Sequence, residues 1–381
     1  MSVTAPRGFR AAGVAAGVKS AGRDVALVVN DGPAYAVAGQ FTRNRFAAAP
    51  VRWTRRVVAG GSARAVLLNS GGANAGTGPA GDADTAASAR AAGAVLGVPP
   101  DEVAVCSTGL IGVRLPMDRL LRGVRAAAAG LGREGGPAAA DAIRTTDTVP
   151  KQAAGSGDGF TVGGMAKGAG MLAPELATML VVLTTDAAAP PAVLHAALAD
   201  ASAETFAMLD TDGCPSTNDT VLLLASGVAG PVEPSGLTRS LLPVCAELTE
   251  QLAADAEGAT KTVQVRVTGA VDRADAAAVA RAITRSNLVK CALHGSDPNW
   301  GRILAAVGST SARFSPEAVD IGLNGVTVSR GGAAVPAAAP PDLSGPHVTV
   351  EVDLHAGGSA VTMRTTDLST GYVTENSAYS S

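Results

Sequence analysis

Aromatic residues make up only 3% of this 381-residue chain: two tryptophans, three tyrosines and six phenylalanines. A core built without large rings is filled by Val, Leu and Ala, which favours strands and closely packed helices. Lysine is also scarce. Lys19, Lys151, Lys167, Lys261 and Lys290 stand among 30 basic residues, so arginine is the routine surface cation and each lysine is a candidate for another task. Cys106, Cys214, Cys245 and Cys291 show no Cys-x-x-Cys spacing, which argues against a disulfide framework or zinc site and for free thiols in a reducing compartment. His195, His294, His347 and His355 are scattered without metal-ligand spacing, so no metal is expected. No apolar run reaches the ~18 residues of a membrane span. Ala11 to Val18, after Arg7 and Arg10, faintly mimics a signal peptide, but it holds two glycines, lacks Leu, Ile and Phe, and meets Lys19 at once. A cytoplasmic home without a membrane partner is the expectation. A net charge of −3 leaves no basic footprint, and nucleic acid is not an expected partner.

A chain this long can hold two or more lobes around a large core. Asp24 to Val29, Tyr35 to Phe41, Ala63 to Asn69 and Glu102 to Cys106 read as strands. Asp82 to Leu96 and Pro116 to Leu131 read as helices. The apolar run Met179 to Leu183 reads as a buried strand, followed by a helix over Pro190 to Leu209, a loop over Asp210 to Asp219 and a strand over Thr220 to Ala225. Further helices are expected at Leu237 to Ala256 and Arg273 to Ser286, and a surface loop at 331–342. His347 to Leu354 and Ser359 to Asp367 look like a hairpin turning through Gly357-Gly358. Strands and helices mixed in this way predict a layered α/β (α+β) architecture.

Lys167-Gly-Ala-Gly-Met-Leu-Ala-Pro-Glu-Leu-Ala-Thr-Met-Leu180 is the segment richest in chemistry. It sets Ala177-Thr178 where a Gly/Pro-rich loop feeds a central strand. Threonine is a poor nucleophile at neutral pH without a base beside it. In an intact chain the Thr178 nitrogen is an amide and takes no proton. Cutting the Ala177-Thr178 bond turns that nitrogen into an amine with an ordinary pKa of ~7.7–8.0, suited to general-base work near pH 7. Taken alone, Thr178 also fits an ordinary buried strand residue, and Ser107-Thr108-Gly109 an ordinary turn. Lys167 lies among Gly163, Gly164, Gly168 and Gly170, where a ligand carboxylate has room to approach; a solvated loop charge has the same pattern. Glu257 follows a helix and suits an ammonium ligand, or is a rim charge at a helix end. Gly-Gly-Met-Ala-Lys-Gly-Ala-Gly lacks the spacing of a phosphate-binding loop, so no nucleotide cofactor is expected, and Asp210 to Asp219 lacks the calcium-loop pattern.

These segments together resemble the ornithine acetyltransferase family. The resemblance begins at Gly8-Phe-Arg-Ala-Ala-Gly-Val-Ala-Ala-Gly-Val-Lys19 and runs through Asn69-Ser-Gly71, Cys106-Ser-Thr-Gly-Leu-Ile-Gly112, Thr145-Thr-Asp-Thr148 and Gly163-Gly-Met-Ala-Lys167. It continues over Ser216-Thr-Asn-Asp-Thr220, Asp255-Ala-Glu-Gly-Ala-Thr-Lys261, Asp297-Pro-Asn-Trp-Gly-Arg302 and Asn376-Ser-Ala-Tyr-Ser-Ser381. It implies self-cleavage at Ala177-Thr178, with transfer of acetyl from N-acetylornithine to glutamate through Thr178 in a ping-pong scheme. It assigns Thr108 and Gly109 to the oxyanion hole, and Thr145, Lys167, Thr178, Glu257, Asn376 and Ser381 to substrate. Thr146 competes with Thr145 for that role. The tail Thr374 to Ser381 needs an anchor, for which Tyr372 and Tyr379 are available.

The resemblance also implies helices outside stacked sheets, and fragments 1–177 and 178–381 with a smaller α/β lobe from roughly residue 235. The fragments are expected to pair as (αβ)2, with no cofactor. Acetyl-CoA as a further donor, and arginine synthesis against a secondary-metabolite route, are left open. Gly72 stands where family members carry a second asparagine, Gly76 where cysteine is common, and Cys214-Pro215 where a polar pair is usual. The rival expectations are a related self-cleaving aminopeptidase or amidase, and an uncleaved non-catalytic homologue.

Overall fold

Val-Ala-Leu-Val-Val-Asn over Val25–Asn30 and Ala-Val-Leu-Leu-Asn-Ser over Ala65–Ser70 are buried at every residue. Val25, Leu27 and Val29 join Ala65 and Leu67 in one core, whereas Ala26 and Val28 join Val66 and Leu68 in another. A strand apolar on both faces belongs in a layer covered on both sides. The computed structural model describes residues 2–172, 179–336 and 340–378. Its chain forms two compact units, Met1–Ala207 with Cys214–Asp255, and Met208–Gly213 with Ala256–Ser380.

The first unit runs β1 (Phe9–Val14), β2 (Val25–Asn30), β3 (Ala36–Phe41), α1 (Ala49–Ala59), β4 (Ala65–Ser70), α2 (Gly78–Leu96), β5 (Val103–Thr108), α3 (Met117–Ala129) and α4 (Gly136–Ala142). It continues with β6 (Lys151–Gly157), β7 (Phe160–Lys167), β8 (Leu180–Ala188), α5 (Pro191–Glu204), β9 (Thr220–Pro231) and α6 (Pro234–Ala254). One sheet has the order β1-β2-β4-β5 and the other β3-β9-β8-β7-β6. Val28, Leu68 and Cys106 of the first meet Met165, Val182 and Leu222 of the second in one core. Leu120, Val124 and Ala89 of α3 and α2 cover the opposite face of the first sheet. Helix α6 lies on β6 and β7, where a Cβ on Gly164 would meet Leu248 at 3.0 Å and one on Gly155 would meet Val244 at 3.5 Å. The result is two stacked sheets between outer helices, the expected layered α/β architecture.

The second unit runs β10 (Thr262–Ala270), α7 (Arg273–Thr284), α8 (Asn287–His294), α9 (Trp300–Gly308), β11 (Asp320–Leu323), β12 (Val326–Arg330), β13 (Ala333–Ala334), β14 (His347–Asp353), β15 (Ser359–Thr366) and α10 (Thr370–Ala378). Side-chain caps start its helices: Asp272 accepts from the Asp275 N–H before α7 and Ser286 from the Val289 N–H before α8.

Two expectations are corrected here. β14 and β15 are not a hairpin, because β10 lies between them, parallel to β14 and antiparallel to β15. Gly269 makes this possible: at φ +65° it ends the regular register of β10, and its carbonyl accepts the Ala356 and Gly357 amides of the crossing turn. Apart from Met208–Gly213, the smaller unit also takes up the chain from Ala256 rather than from near residue 235, since α6 packs on the β6–β7 face of the first unit. Among the described residues, no helix is long and apolar enough to cross a membrane.

Candidate active site

β5 alternates Val103 and Val105 toward the helices with Ala104 and Cys106 toward the inter-sheet core. Two residues on, that period points Thr108 inward from the strand end. β7 does the same from the facing sheet, since Met165 lies in the same core and Lys167 follows two residues later. The two inward side chains meet: Lys167 Nζ donates to Thr108 Oγ1 at 3.2 Å. Both residues are buried. Lys167 is therefore the last residue of a strand, not a loop charge, although Gly168 and Gly170 do follow it.

Gly109 turns the chain away at φ +131°, and a Cβ there would stand 2.5 Å from the Gly72 nitrogen. Only glycine combines that conformation with that approach. The Gly72 N–H in turn donates to the Thr108 carbonyl at 3.0 Å, and Asn69 supports both strands through Ser107 Oγ and the Gly72 carbonyl. Gly72 thus lies on backbone that braces the Thr108 turn.

Lys167 has a carboxylate behind it. Asp147 is buried and accepts from Lys151 Nζ at 2.7 Å, the Gly168 N–H at 2.7 Å and the Thr145 N–H at 3.1 Å, with Lys167 Nζ 3.9 Å away. Burial pushes its carboxyl up, but the charges of Lys167 and Lys151 and these hydrogen bonds outweigh burial and hold it down at about 2. Lys151 is wholly buried and also donates to Asp255 at 2.5 Å. Asp255, at the end of α6, accepts from the Thr148 N–H and hydroxyl. The turn carrying Thr145 and Thr146 is thereby held on both sides.

A second carboxylate sits at the start of β8. Asp219 Oδ1 accepts the Met179 N–H at 3.2 Å, and Oδ2 is buried with no hydrogen-bond partner within 3.5 Å among the described residues. Burial drives this carboxyl well above the usual carboxylate range, against the opposing pull of the Met179 amide, the Thr42 hydroxyl, the Lys167 charge and the Ser216 amide. Its neighbour Asn218 donates to the carbonyls of Ala73 at 2.6 Å and Ser107 at 2.8 Å. Ser216–Thr220 is therefore a brace between the beginning of β8 and the strand that delivers Thr108. Asp147, Lys151, Asn218 and Asp219 were absent from the sequence-based site. Their signals were present as the Thr145–Thr148 and Ser216–Thr220 motifs and the scarcity of lysine.

Glu257 and Asn376 lie in the second unit. Glu257 is half-buried in the turn after α6, and Gly258 beside it adopts φ +60° with its Cα pressed against α10, where a Cβ would stand 2.1 Å from the Tyr372 nitrogen. Ser369 Oγ donates to the Gly258 carbonyl and accepts the Tyr372 N–H. The tail is thus anchored by backbone packing at Tyr372 and is helical as far as Ala378. Asn376 is exposed and donates to the Tyr372 carbonyl at 3.0 Å. Ala177, Thr178, Tyr379 and Ser381 lie outside the described residues. Among the described residues no cluster of His, Cys, Asp and Glu has metal-holding geometry.

Stacked sheets between helices, with a buried hydroxyl–lysine–carboxylate chain at the strand ends, describe a layered α/β enzyme. The model of the ArgJ family matches residues 10–381. A relative from Thermobifida fusca (strain YX), named arginine biosynthesis bifunctional protein ArgJ, is 57% identical over 382 residues, covering all of both chains. A protein of the same name from Mycobacterium tuberculosis (strain ATCC 25618 / H37Rv) is 58% identical over 389 residues, covering all of this chain and 96% of the relative. The solved structure of ornithine acetyltransferase complexed with ornithine from Mycobacterium tuberculosis is 62% identical, covering 46% of this chain and 96% of that one at a TM-score of 0.45. The chain belongs to the ArgJ family and is an enzyme of that family.

Proposed function

We propose that this enzyme cuts itself between Ala177 and Thr178 and then transfers acetyl from N-acetylornithine to glutamate in arginine biosynthesis. The Thr178 hydroxyl attacks the Ala177 carbonyl carbon, the peptide C–N bond breaks, and the nitrogen takes the hydroxyl proton. Water opens the resulting ester, leaving a carboxylate on Ala177 and a free hydroxyl and amine on Thr178. In turnover the same hydroxyl attacks the acetyl carbonyl of N-acetylornithine and ornithine departs with the proton. The glutamate amine then attacks the acetyl ester, the ester C–O bond breaks, an amine proton returns to the Thr178 oxygen, and N-acetylglutamate leaves. Fragments 1–177 and 178–381 stay together and pair as (αβ)2 in the cytoplasm. The word bifunctional in the relatives' names supports acetyl-CoA as a second acetyl donor to glutamate.

The observation that carries the reading is the contact between Lys167 and Thr108. A lysine ammonium only donates, so Thr108 Oγ1 accepts from it and keeps its own hydrogen for another acceptor. Directed at the oxygen of a tetrahedral intermediate, that O–H and the Gly109 N–H form an oxyanion hole. Each such donor is worth ~2.7–4 kcal/mol to the transition state. The buried charge of Lys167 strengthens the hydroxyl as a donor, and Thr145, Glu257, Asn376 and Ser381 serve the charged ends of the two amino-acid substrates.

The test is acetyl transfer from N-acetylornithine to glutamate, followed beside plain hydrolysis of the donor. Thr108→Ala is expected to lower kcat by ~10²–10³. Hydrolysis that outpaces transfer would favour an amidase instead, and an intact, inactive wild-type chain would favour a non-catalytic homologue.

A further inference from the structure

We propose that the groove between β3 and α5, with the arginine-rich segment beside it, binds the phosphorylated adenosine end of acetyl-CoA. The inference rests on acetyl-CoA being the second acetyl donor and gives that donor a place on the protein.

A coenzyme A thioester differs from the amino-acid substrates in carrying a purine ring and several phosphate charges far from its reacting carbonyl. Its recognition calls for guanidinium groups, an aromatic face and a cleft free of carboxylates. The overall charge of −3 hides one stretch of this composition. Between Asp31 and Asp82 the chain has no acidic residue, and Arg43, Arg45, Arg52, Arg55 and Arg56 fall within fourteen residues of it. All five are exposed. Arg52 pairs with Asp82 at 2.6 Å, whereas Arg45, Arg55 and Arg56 have no ion pair among the described residues.

The groove lies where this stretch meets α5. It encloses about 400 Å³, a volume in the range of small-molecule sites. Gly39, Phe41, Arg43 and Arg55 line one side, Ala199 and Ser202 of α5 line the other, and none of the described residues lining it is acidic. Arg55 Nη2 donates to the Thr42 carbonyl at 2.5 Å, and its guanidinium lies 5.6 Å from the centre of the Phe41 ring. A planar cation is thereby fixed at the rim. Ser202 is buried, and its hydroxyl has no hydrogen-bond partner within 3.5 Å among the described residues.

The segment after β3 is held against the Ser216–Thr220 brace. The Thr42 N–H donates to the Asp219 carbonyl at 3.0 Å, Asn44 Nδ2 to the Pro215 carbonyl at 3.0 Å and the Ala48 N–H to the Thr217 carbonyl at 2.9 Å. Phe46 nevertheless stands 82% exposed next to Arg45. A large ring held in water beside an arginine suits stacking on a base. Phe41, Thr220, Leu180 and Lys167 lie opposite one another across β3, β9, β8 and β7. Three strand spacings of ~4.8 Å put the groove roughly 14 Å across the sheet from Lys167. Phosphates bound there leave the pantetheine arm to pass the strand ends toward the Lys167–Thr108 pair.

The test compares the two donors. Arg55→Glu reverses the charge at the rim, and Ala199→Trp fills the groove from an exposed position without touching a charge. Each is expected to raise the KM for acetyl-CoA by ~10–100-fold and to leave KM and kcat with N-acetylornithine unchanged. An unchanged KM for acetyl-CoA in either variant overturns the proposal, as does an equal loss with both donors, which marks a structural effect. If a variant fails to fold, calorimetry of the wild type with adenosine 3′,5′-diphosphate decides. Binding that N-acetylornithine does not displace supports the groove, and no binding, or displacement by N-acetylornithine, overturns it. A wild type that uses N-acetylornithine but not acetyl-CoA removes the second-donor reading together with the groove. A wild type that uses both donors, with variants that do not move, removes only the groove.

Discussion

Replacing Asp147 by asparagine removes a carboxylate that faces both Lys151 and Lys167, and the structure sets the size of the effect. The native carboxyl titrates near about 2 against an ordinary 3.8. That gap of about two units corresponds to ~2–3 kcal/mol of stability at neutral pH. The neutral amide also leaves two buried ammonium groups short of an anion. Breaking a buried pair costs ~3–5 kcal/mol, and the lower end applies because Lys151 keeps Asp255 at 2.5 Å. Asp147→Asn is thus expected to lose ~3 kcal/mol in urea unfolding at pH 7. Both chains should carry Thr178→Ala so that each unfolds as one polypeptide. The folded pKa lies below the unfolded one, so the Asp147 contribution is complete above pH ~4 and lost as pH falls through about 2. The difference between the two proteins should narrow on acidification across that window. A loss below ~1 kcal/mol, or one independent of pH, would refute the charge cluster as described.

Gly109→Ala forces a side chain into φ +131° and within 2.5 Å of the Gly72 nitrogen; strain of ~1–3 kcal/mol should lower Tm and slow self-cleavage, as calorimetry and a denaturing gel would register. Cys106 and Cys245 are buried, with burial pushing both thiols up to about 12, whereas Cys214 and Cys291 are exposed. A thiol reagent such as DTNB should therefore modify two of the four thiols in the native protein and all four after unfolding.

Strand positions are legible because β2, β4 and β5 are written as short unbroken apolar runs of Val, Leu and Ala. Val103–Thr108 was read two residues short, since Ser107 and Thr108 are polar and buried, which hydrophobic pattern does not reveal. β6 and β7 went unread for the same reason: Lys151 and Lys167 sit in them, and glycine fills the positions where α6 comes close. The hairpin at Gly357-Gly358 was misread because local turn signals do not say which strand lies between two others. The scarcity of lysine proved the most telling compositional fact: four of the five lysines are buried and held by carboxylates, hydroxyls or carbonyls. The partners of Lys167 and of Asp219 come from chain segments far apart in sequence, and no spacing rule joins them.

The central claim is that the chain unmasks its own catalytic amine, and the mass and amino-terminal sequence of the purified protein test it directly. The account predicts two polypeptides, 1–177 and 178–381, the second beginning Thr-Met-Leu-Val, and a single chain when Thr178 is replaced by alanine. One intact chain of 37.4 kDa in an active wild-type preparation, or a cut at any other bond, would contradict it.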